Sequence, residues 1–416
     1  MRTRSPFLRA SQRAAALLLG IACSLAVLVA CGDSESEDNG GAGGEGGSRL
    51  PTVPDDDFYL PPESLAGSNP GALIRSEEVQ PIAADSRTFV VLYVSESLAG
   101  EAIAVSGLVV VPDAPAPSDG FNVVSWAHGT KGISDDCAPS RGFSGPTHDF
   151  FMIAPELVAA GYLAVSSDYE GLGTPGLHPY LVGESQARGS LDIVQAAAEL
   201  DEVAAIDRVA VWGRSQGGQT ALFASEIAPT WAPELDLAGV IGAAPACCME
   251  TIAKAGIRVP GSRGLVWMSL VSYADAFELD LDAVFTPDAR AAVDALLEDA
   301  FCYEEWVAVA ESFGSETGIA IDFDQSQGWI EAFTLGSPGR AVTDVPVLVL
   351  QGTEDETTPK ALTDILTTGM CALGTTVDYR LFEGFSHNDS TALNMPLMLE
   401  WTAARFDGAA AATTCD

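Results

Sequence analysis

The 416-residue sequence predicts an α/β fold: a mostly parallel β-sheet covered by helices on both faces, with a helical segment inserted late in the chain. Three observations carry this. Between residues 121 and 243, short apolar strands alternate with amphipathic helical stretches, as in successive βαβ units. Within that alternation, Gly213-Arg214-Ser215-Gln216-Gly217-Gly218 stands between an apolar run at Arg208 to Trp212 and a helix-compatible run at Thr220 to Ser225. Finally, the next strand-like run begins at Val345, 97 positions after Cys248. One crossover needs only about 30.

The first 30 residues read as an export signal. Arg2, Arg4, Arg9 and Arg13 precede an apolar run from Ala14 to Ala30, shorter than a typical spanning helix and closed by small residues. The run ends in Leu28-Val29-Ala30-Cys31, which resembles the lipobox of bacterial lipoproteins, where cleavage leaves Cys31 as an acylated N-terminus. Several acyl chains on one residue give durable membrane attachment. Residues 31–57, acidic and rich in Gly and Ser, are expected to be the tether. The expected location is therefore outside the cytoplasm, anchored to a membrane through the lipidated N-terminus.

Residues 58–248 read as the first part of the core. Phe89 to Val94 and Ile103 to Val111 are predicted to pair around the turn at Leu98-Ala99-Gly100. Strands follow at Phe121 to Ala127, Gly161 to Ser166, Val209 to Trp212 and Leu237 to Ala243, with helices at Phe150 to Ala160, Glu184 to Leu200 and Gly218 to Ala228. Residues 249–340 are predicted to form a helical cap. Asp288 to Trp306 carries apolar residues at helical spacing, and Trp267, Phe277, Trp306 and Trp329 supply aromatic bulk. Most such aromatics fill a small core; the functional alternative is that some face an acyl-binding cavity. Residues 341–416 complete the core, with strands at Val345 to Leu350 and Val377 to Phe382 and a last helix bearing Trp401 and Phe406.

Charge narrows the partners. Twenty basic residues stand against 58 acidic ones, a formal net charge of -38, and four of the bases lie in the signal. Such a chain is not expected to bind nucleic acid, and its self-repulsion favours a soluble monomer. No Cys/His spacing suggests a metal site, and no cofactor is expected.

The chemistry converges on Ser215. In a G-x-S-x-G turn between strand and helix, a Cβ at Gly213 or Gly217 would collide across the turn, and the serine is presented at its tip. A serine hydroxyl needs a base within hydrogen-bond reach and a third group to orient that base. Elbow enzymes use the chain order Ser, acid, His, and of the four histidines only His387 follows Ser215. Asp355, in the loop after the Val345 strand, is the expected acid; Glu356 is next, and Glu354 also adjoins it. Backbone N–H groups of Gln216 and of Thr130, in Ala127-His128-Gly129-Thr130, are the expected oxyanion donors. His128, His148 and His178 read as structural.

At these residues the chain resembles the secretory lipase family of α/β hydrolases, over most of residues 85 to 405. The marks are Ala127-His128-Gly129-Thr130 followed by Cys137-Ala138-Pro139-Ser140, Ser167-Asp168-Tyr169-Glu170-Gly171-Leu172-Gly173, the elbow, and the order Ser215, Asp355, His387. The resemblance implies carboxylic ester hydrolysis through an acyl-enzyme, a helical cap after the sixth core strand, and a small acyl ester or lipid as substrate. Two alternatives are a serine peptidase of the prolyl-oligopeptidase type, for whose propeller there is no room, and a non-catalytic surface lipoprotein that keeps the fold. With Cys23 in the signal and Cys31 assigned to lipid, six cysteines remain, a number that admits many pairings. Cys371 with Cys415 is expected to clip the final helix onto the loop before the last strand. Cys137 is expected to pair with a cap cysteine, and the resemblance favours Cys302. Cys247 and Cys248 are adjacent, so they bond each other in a strained ring or find separate partners.

Overall fold

The computed structural model describes residues 52–142, 149–389 and 394–415. The signal segment, Cys31 and His148 lie outside the described residues. Nine strands form one sheet: β1 (Leu73–Val79), β2 (Ser86–Glu96), β3 (Ala102–Pro112), β4 (Phe121–Ala127), β5 (Leu163–Ser167), β6 (Ile206–Arg214), β7 (Leu237–Ala243), β8 (Val347–Gly352) and β9 (Val377–Phe382). Their spatial order is β1-β2-β3-β5-β4-β6-β7-β8-β9. The first three and the β3–β5 pair are antiparallel; every later neighbour is parallel.

The predicted hairpin is there, in unbroken register from Ser86 opposite Pro112 to Glu96 opposite Ala102. Strand β1 was not anticipated, because Arg75, Glu77 and Glu78 interrupt any apolar alternation in Leu73–Val79. It is an edge strand, where charge discourages pairing with other chains, and Glu78 is held by Arg87 of β2 at 2.6 Å.

Helices α1 (Asp149–Ala159), α2 (Gly183–Ala198) and α3 (Gln216–Trp231) follow β4, β5 and β6; α9 (Lys360–Leu373) and α10 (Met395–Phe406) flank β9. Alternate residues of each strand serve opposite faces. In β6, Ala210 and Trp212 pack with Phe150 and Leu157 of α1 and Met398 and Trp401 of α10. Val211 points the other way, to Leu191 of α2 and Leu222 of α3. The buried Trp212 indole donates to Thr402 Oγ1 at 2.9 Å, so the bulkiest side chain of that strand is also satisfied.

Between β7 and β8 the described chain is helical: α4 (Met249–Gly256), α5 (Arg263–Ala276), α6 (Pro287–Glu298), α7 (Tyr303–Glu311) and α8 (Gln327–Leu335). The continuous helix expected from Asp288 to Trp306 is two helices. Ala300 takes a left-handed φ of 52°, and Cys302 leaves the helical path to bond Cys137 and pair with Gly132. Tyr303 N–H then donates to Lys131 O at 3.0 Å. Periodicity alone did not reveal the break because the apolar spacing continues across it.

The insertion has an aromatic core. Trp267 lies 5.1 Å from both Phe285 and Phe313, and Phe323 packs on Trp329 and Phe333. This cluster is continuous with Ile133, Tyr180 and Leu181 of the core loops. Tyr273 hydroxyl donates to Leu181 O at 2.8 Å and Ser272 hydroxyl to His178 O at 2.8 Å.

Both expected disulfides are present, Cys137–Cys302 and Cys371–Cys415. The second differs in what it joins. Cys371 lies in α9, and Cys415 lies beyond α10 on a tail whose Thr414 N–H donates to Val377 O at 2.8 Å, so the bond clips the tail along β9. Cys247 and Cys248 are thiols.

The Cys137–Cys302 bond spans 165 residues and joins the insertion to the loop after β4. Cys302→Ser is expected to lose about 2–5 kcal/mol of unfolding free energy. Denaturant unfolding of oxidised wild type beside the variant measures this; coincident midpoints would show that the bond constrains nothing.

Candidate active site

Strand β6 runs into α3 with only Ser215 between them, and the approach of neighbouring backbone fixes the turn. A Cβ on Gly213 would meet the carbonyl of Gly217, and one on Gly217 would meet the carbonyls of Ala127 and His128. Ser215 adopts φ 59°, ψ -116°, a conformation disfavoured for a residue with a side chain and sustained only where the surroundings over-determine it. Here they do: Ser215 N–H donates to Ala243 O at 2.9 Å, and its carbonyl accepts from Gln219 N–H and Ala246 N–H, each at 3.1 Å.

Three expected residues meet in one hydrogen-bonded chain. His387, opening a short turn after β9, has Nε2 3.0 Å from Ser215 Oγ and Nδ1 2.8 Å from Asp355 Oδ2. Asp355 follows β8 and is buried, whereas Glu354 and Glu356 are exposed and make no hydrogen bond to His387 among the described residues. Burial opposes ionisation of Asp355. The His387 hydrogen bond and charge, with Thr358 donating from backbone and hydroxyl, outweigh it and hold the carboxyl below its ordinary range.

The groups that hold the carboxylate were not found by sequence reasoning. Asp355 Oδ1 accepts from Thr357 N–H at 2.9 Å and Thr358 N–H at 2.7 Å. Its Oδ2 accepts from Thr358 Oγ1 at 2.9 Å and from Gln351 Nε2 at 3.2 Å. The backbone part of this, a short carboxylate capping the amides two and three residues on, is an Asx-type turn that Asp-x-x-Thr could have signalled. Arg214, another residue not anticipated, joins the elbow to the turn that carries His387: it reaches Asn388 Oδ1 at 3.2 Å and Asp149 Oδ2 at 3.3 Å.

Gln216 is the first residue of α3, where a helix leaves N–H groups without intrahelical acceptors. Thr130 lies in the turn after β4, and Ala127 and Gly213 are register partners, so this turn and the elbow are neighbours. The Thr130 hydroxyl pairs with Tyr180 at 2.7 Å.

The other described histidines are structural. Burial drives the His128 ring down to about 3, and it lies between Gly129 O and Asp168 O with Tyr169 4.1 Å away. Burial takes His178 down to about 4; its Nδ1–H donates to Glu170 O at 2.7 Å, leaving Nε2 to accept from Gln216 Nε2 at 2.9 Å. Sequence gave no hint that His178 steadies Gln216. Asp168 in turn accepts from Ser106 Oγ at 2.6 Å and Ser140 N–H at 2.9 Å, while Tyr169 hydroxyl donates to His128 O at 3.0 Å. The Ser167 to Gly173 segment thus anchors the loop beside the elbow.

An apolar cavity of about 160 Å³ lies between α4, α5 and the chain after Asp355, lined by Ile252, Val259, Leu265, Val266, Pro359 and Leu362, with Glu356 and Thr357 at its edge. Trp267, Phe277, Trp306 and Trp329, offered from sequence for such a cavity, do not line it. Trp267, Trp306 and Trp329 are buried within the insertion's own core, with Phe277 packed against it. Among the described residues no group of His, Cys, Asp and Glu is placed to hold a metal.

Thr358→Val removes the hydroxyl donor to Asp355 while keeping shape and backbone amide. With a hydrogen bond to a charged group contributing about 1.5–3 kcal/mol, kcat for ester hydrolysis is expected to fall about 10- to 100-fold. Steady-state assay of the folded variant checks this; unchanged kcat would mean that the backbone amides and Gln351 hold Asp355 without the hydroxyl.

Comparison with known proteins agrees with this geometry. The secretory lipase family matches residues 146–414. Lipase 2 of Candida albicans is 26% identical over 386 residues, covering 85% of this chain and 81% of the relative. A Mycobacterium tuberculosis protein named "Probable inactive lipase MT1628" is 26% identical over 384 residues, covering 86% and 83%. The solved structure of Candida antarctica lipase A superposes with TM-score 0.75 at 18% identity, covering 88% of this chain and 89% of that one. The sheet order, the elbow and these similarities together give one assignment: the chain belongs to the secretory lipase family and has the α/β-hydrolase fold.

Proposed function

We propose that this protein hydrolyses carboxylic esters through a serine acyl-enzyme, with Ser215 as nucleophile, His387 as general base and acid, and Asp355 as the orienting carboxylate. The observation that carries the reading is the continuous chain of hydrogen bonds Ser215–His387–Asp355 at 3.0 and 2.8 Å. His387 Nε2 takes the Ser215 proton as Oγ attacks the carbonyl, and Asp355 stabilises the resulting imidazolium. The N–H groups of Gln216 and Thr130 are the proposed donors to the oxyanion. The proton returns through His387 to the leaving alcohol, and a water then attacks the acyl-enzyme by the same route in reverse. One relative carries a name that calls it inactive, so for this chain activity is argued from the triad rather than from kinship. A peptidase of the prolyl-oligopeptidase type finds no support among the relatives, which are lipases by name.

The helical segment 249–340 is proposed as a cap, with the apolar cavity between α4, α5 and residues 356–362 receiving part of the acyl chain. Export fits the secretory family. Attachment through an acylated Cys31 is proposed from Leu28-Val29-Ala30-Cys31; among the described residues no helix is long and apolar enough to cross a membrane.

Ser215→Ala is expected to lower ester hydrolysis on the order of 10⁴-fold or more with the fold intact, read on p-nitrophenyl butyrate beside a circular dichroism spectrum. A variant that kept a tenth of wild-type activity would remove Ser215 from its role. Asp355→Asn is expected to cost on the order of 10⁴-fold in kcat, against near-normal rates for Glu354→Gln and Glu356→Gln. Equal small losses in all three would place the acid elsewhere.

Filling the cavity should shift chain-length preference. Leu265→Trp is expected to depress kcat/KM for an octanoate ester more than for acetate, since energy from a remote acyl chain is expressed in both kcat and KM. Uniform losses across acetate, butyrate and octanoate would make the segment structural only.

A further inference from the structure

Cys247 and Cys248 stand apart from the other described cysteines, all four of which are in disulfides. They are adjacent free thiols, and the Cys248 Sγ–H donates to Leu362 O at 3.8 Å. Cys247 is buried and Cys248 is half-buried, so the second is the more accessible of the two residues. Adjacency also divides their chemistry. The neighbouring Cys248 thiol, then burial, pushes the Cys247 thiol up; Cys247 in turn brings Cys248 down against its partial burial. A half-buried thiol directly beside a buried one is the arrangement of an attacking and a resolving cysteine.

Their position ties them to the triad. They end a strap, residues 244–248, that runs from β7 to α4. Ala244 N–H donates to Leu350 O at 2.8 Å, and Ala246 N–H donates to Ser215 O at 3.1 Å. Ala244 O lies 3.1 Å from Thr358 Oγ1, the same hydroxyl that donates to Asp355 Oδ2 at 2.9 Å. Cys248 O accepts the first free N–H groups of α4, Thr251 at 2.8 Å and Ile252 at 3.1 Å, and Met249 N–H donates to Ser337 Oγ at 2.9 Å. Ala244 and Cys248 both take left-handed φ values, 45° and 53°, so the strap is a non-glycine segment held in a sparsely populated conformation by its partners. A bond between the two sulfurs closes a ring through the Cys247–Cys248 peptide and resets the dihedrals on which that conformation depends.

We propose that Cys247 and Cys248 form a redox-responsive dithiol that closes into a vicinal disulfide by exchange with a small external disulfide and, through the strap, slows turnover at Ser215. Cys248 thiolate attacks one sulfur of the external disulfide, whose other sulfur leaves as a thiolate. Cys247 then loses its proton to solvent and attacks Cys248 Sγ, breaking the bond to the external sulfur, which departs as a second thiolate. Two protein thiols are oxidised and one external disulfide is reduced to two thiols. The regulatory half rests on the proposed esterase reading; the covalent half does not.

The test uses the exported protein with its two structural disulfides intact, treated with oxidised glutathione, and reads intact mass, thiol count after denaturation, and hydrolysis of p-nitrophenyl butyrate. Wild type should lose both titratable thiols and the mass of two hydrogens, retain no glutathione, and fall several-fold in kcat, with recovery on mild reduction. Cys247→Ser should stop at one stable glutathione adduct, Cys248→Ser should not react, and before treatment both should hydrolyse the ester as wild type does. A wild type that keeps two free thiols, or keeps glutathione as a stable adduct, overturns the proposal. Ring formation without change in kcat overturns its regulatory half. Absence of ester hydrolysis in every untreated protein would instead count against the proposed function and leave the mass readout standing.

Discussion

The contact of Gly217 with the carbonyls of Ala127 and His128 sets the spacing of everything around Ser215. Because no side chain intervenes, α3 starts directly against the end of β4, and the turn carrying Thr130 is brought beside the first N–H groups of the helix. That closeness also forces Ser215 into its left-handed conformation, which costs of order 1–3 kcal/mol and is sustained by the hydrogen bond to Ala243 and the packing of α3 on the sheet. Ser215, the proposed nucleophile, is thus presented by backbone geometry, and the side chains at a distance serve to stabilise that backbone. His128, Tyr169 and Asp168 do this from one side, Arg214 with Asp149 and Asn388 from the other.

Much of this was legible in the sequence because it rests on short-range rules. The β2–β3 hairpin and strands β4 to β9 follow from apolar runs bounded by turn residues. The elbow follows from two glycines that only a crossing of strand and helix explains. The order Ser215, Asp355, His387 follows because a single histidine remains downstream. What escaped lies in long-range pairing. Thr358 is three residues from Asp355, yet its hydroxyl matters through Ala244 as well, 114 residues away. His178 steadies Gln216 across 38 residues, and no spacing in the chain encodes that. Strand β1 escaped because an edge strand carries charge where a central one carries apolar residues.

The insertion shows where pattern and function separate. Aromatic residues at helical spacing mark a face that must be buried, but they do not say against what. In Trp267, Trp306 and Trp329 the answer is the insertion's own interior, reinforced by Tyr273 and Ser272 hydroxyls that tie α5 to the loop at 178–181. Smaller residues, Ile252, Val259, Leu265 and Val266, are left to line the apolar cavity. Size selection explains this: a ring that is needed to fill a core cannot also leave a space, so a cavity of about 160 Å³ is bounded by branched aliphatic side chains.

The fold alone does not require the chemistry it carries. A buried carboxylate weakens a protein unless its lone pairs are met, and Asp355 sits where an apolar or amide side chain would fold without that cost. Its donors, Thr357, Thr358, Gln351 and His387, converge on one group that contributes nothing to the sheet. The same holds for the left-handed Ser215. A buried carboxylate whose oxygens are all met and a strained serine backbone coincide within hydrogen-bond reach of a single imidazole. Such coincidence is what separates a hydrolase from a scaffold of the same shape. The arrangement around His387 is the physical ground on which catalysis by Ser215, His387 and Asp355 is proposed.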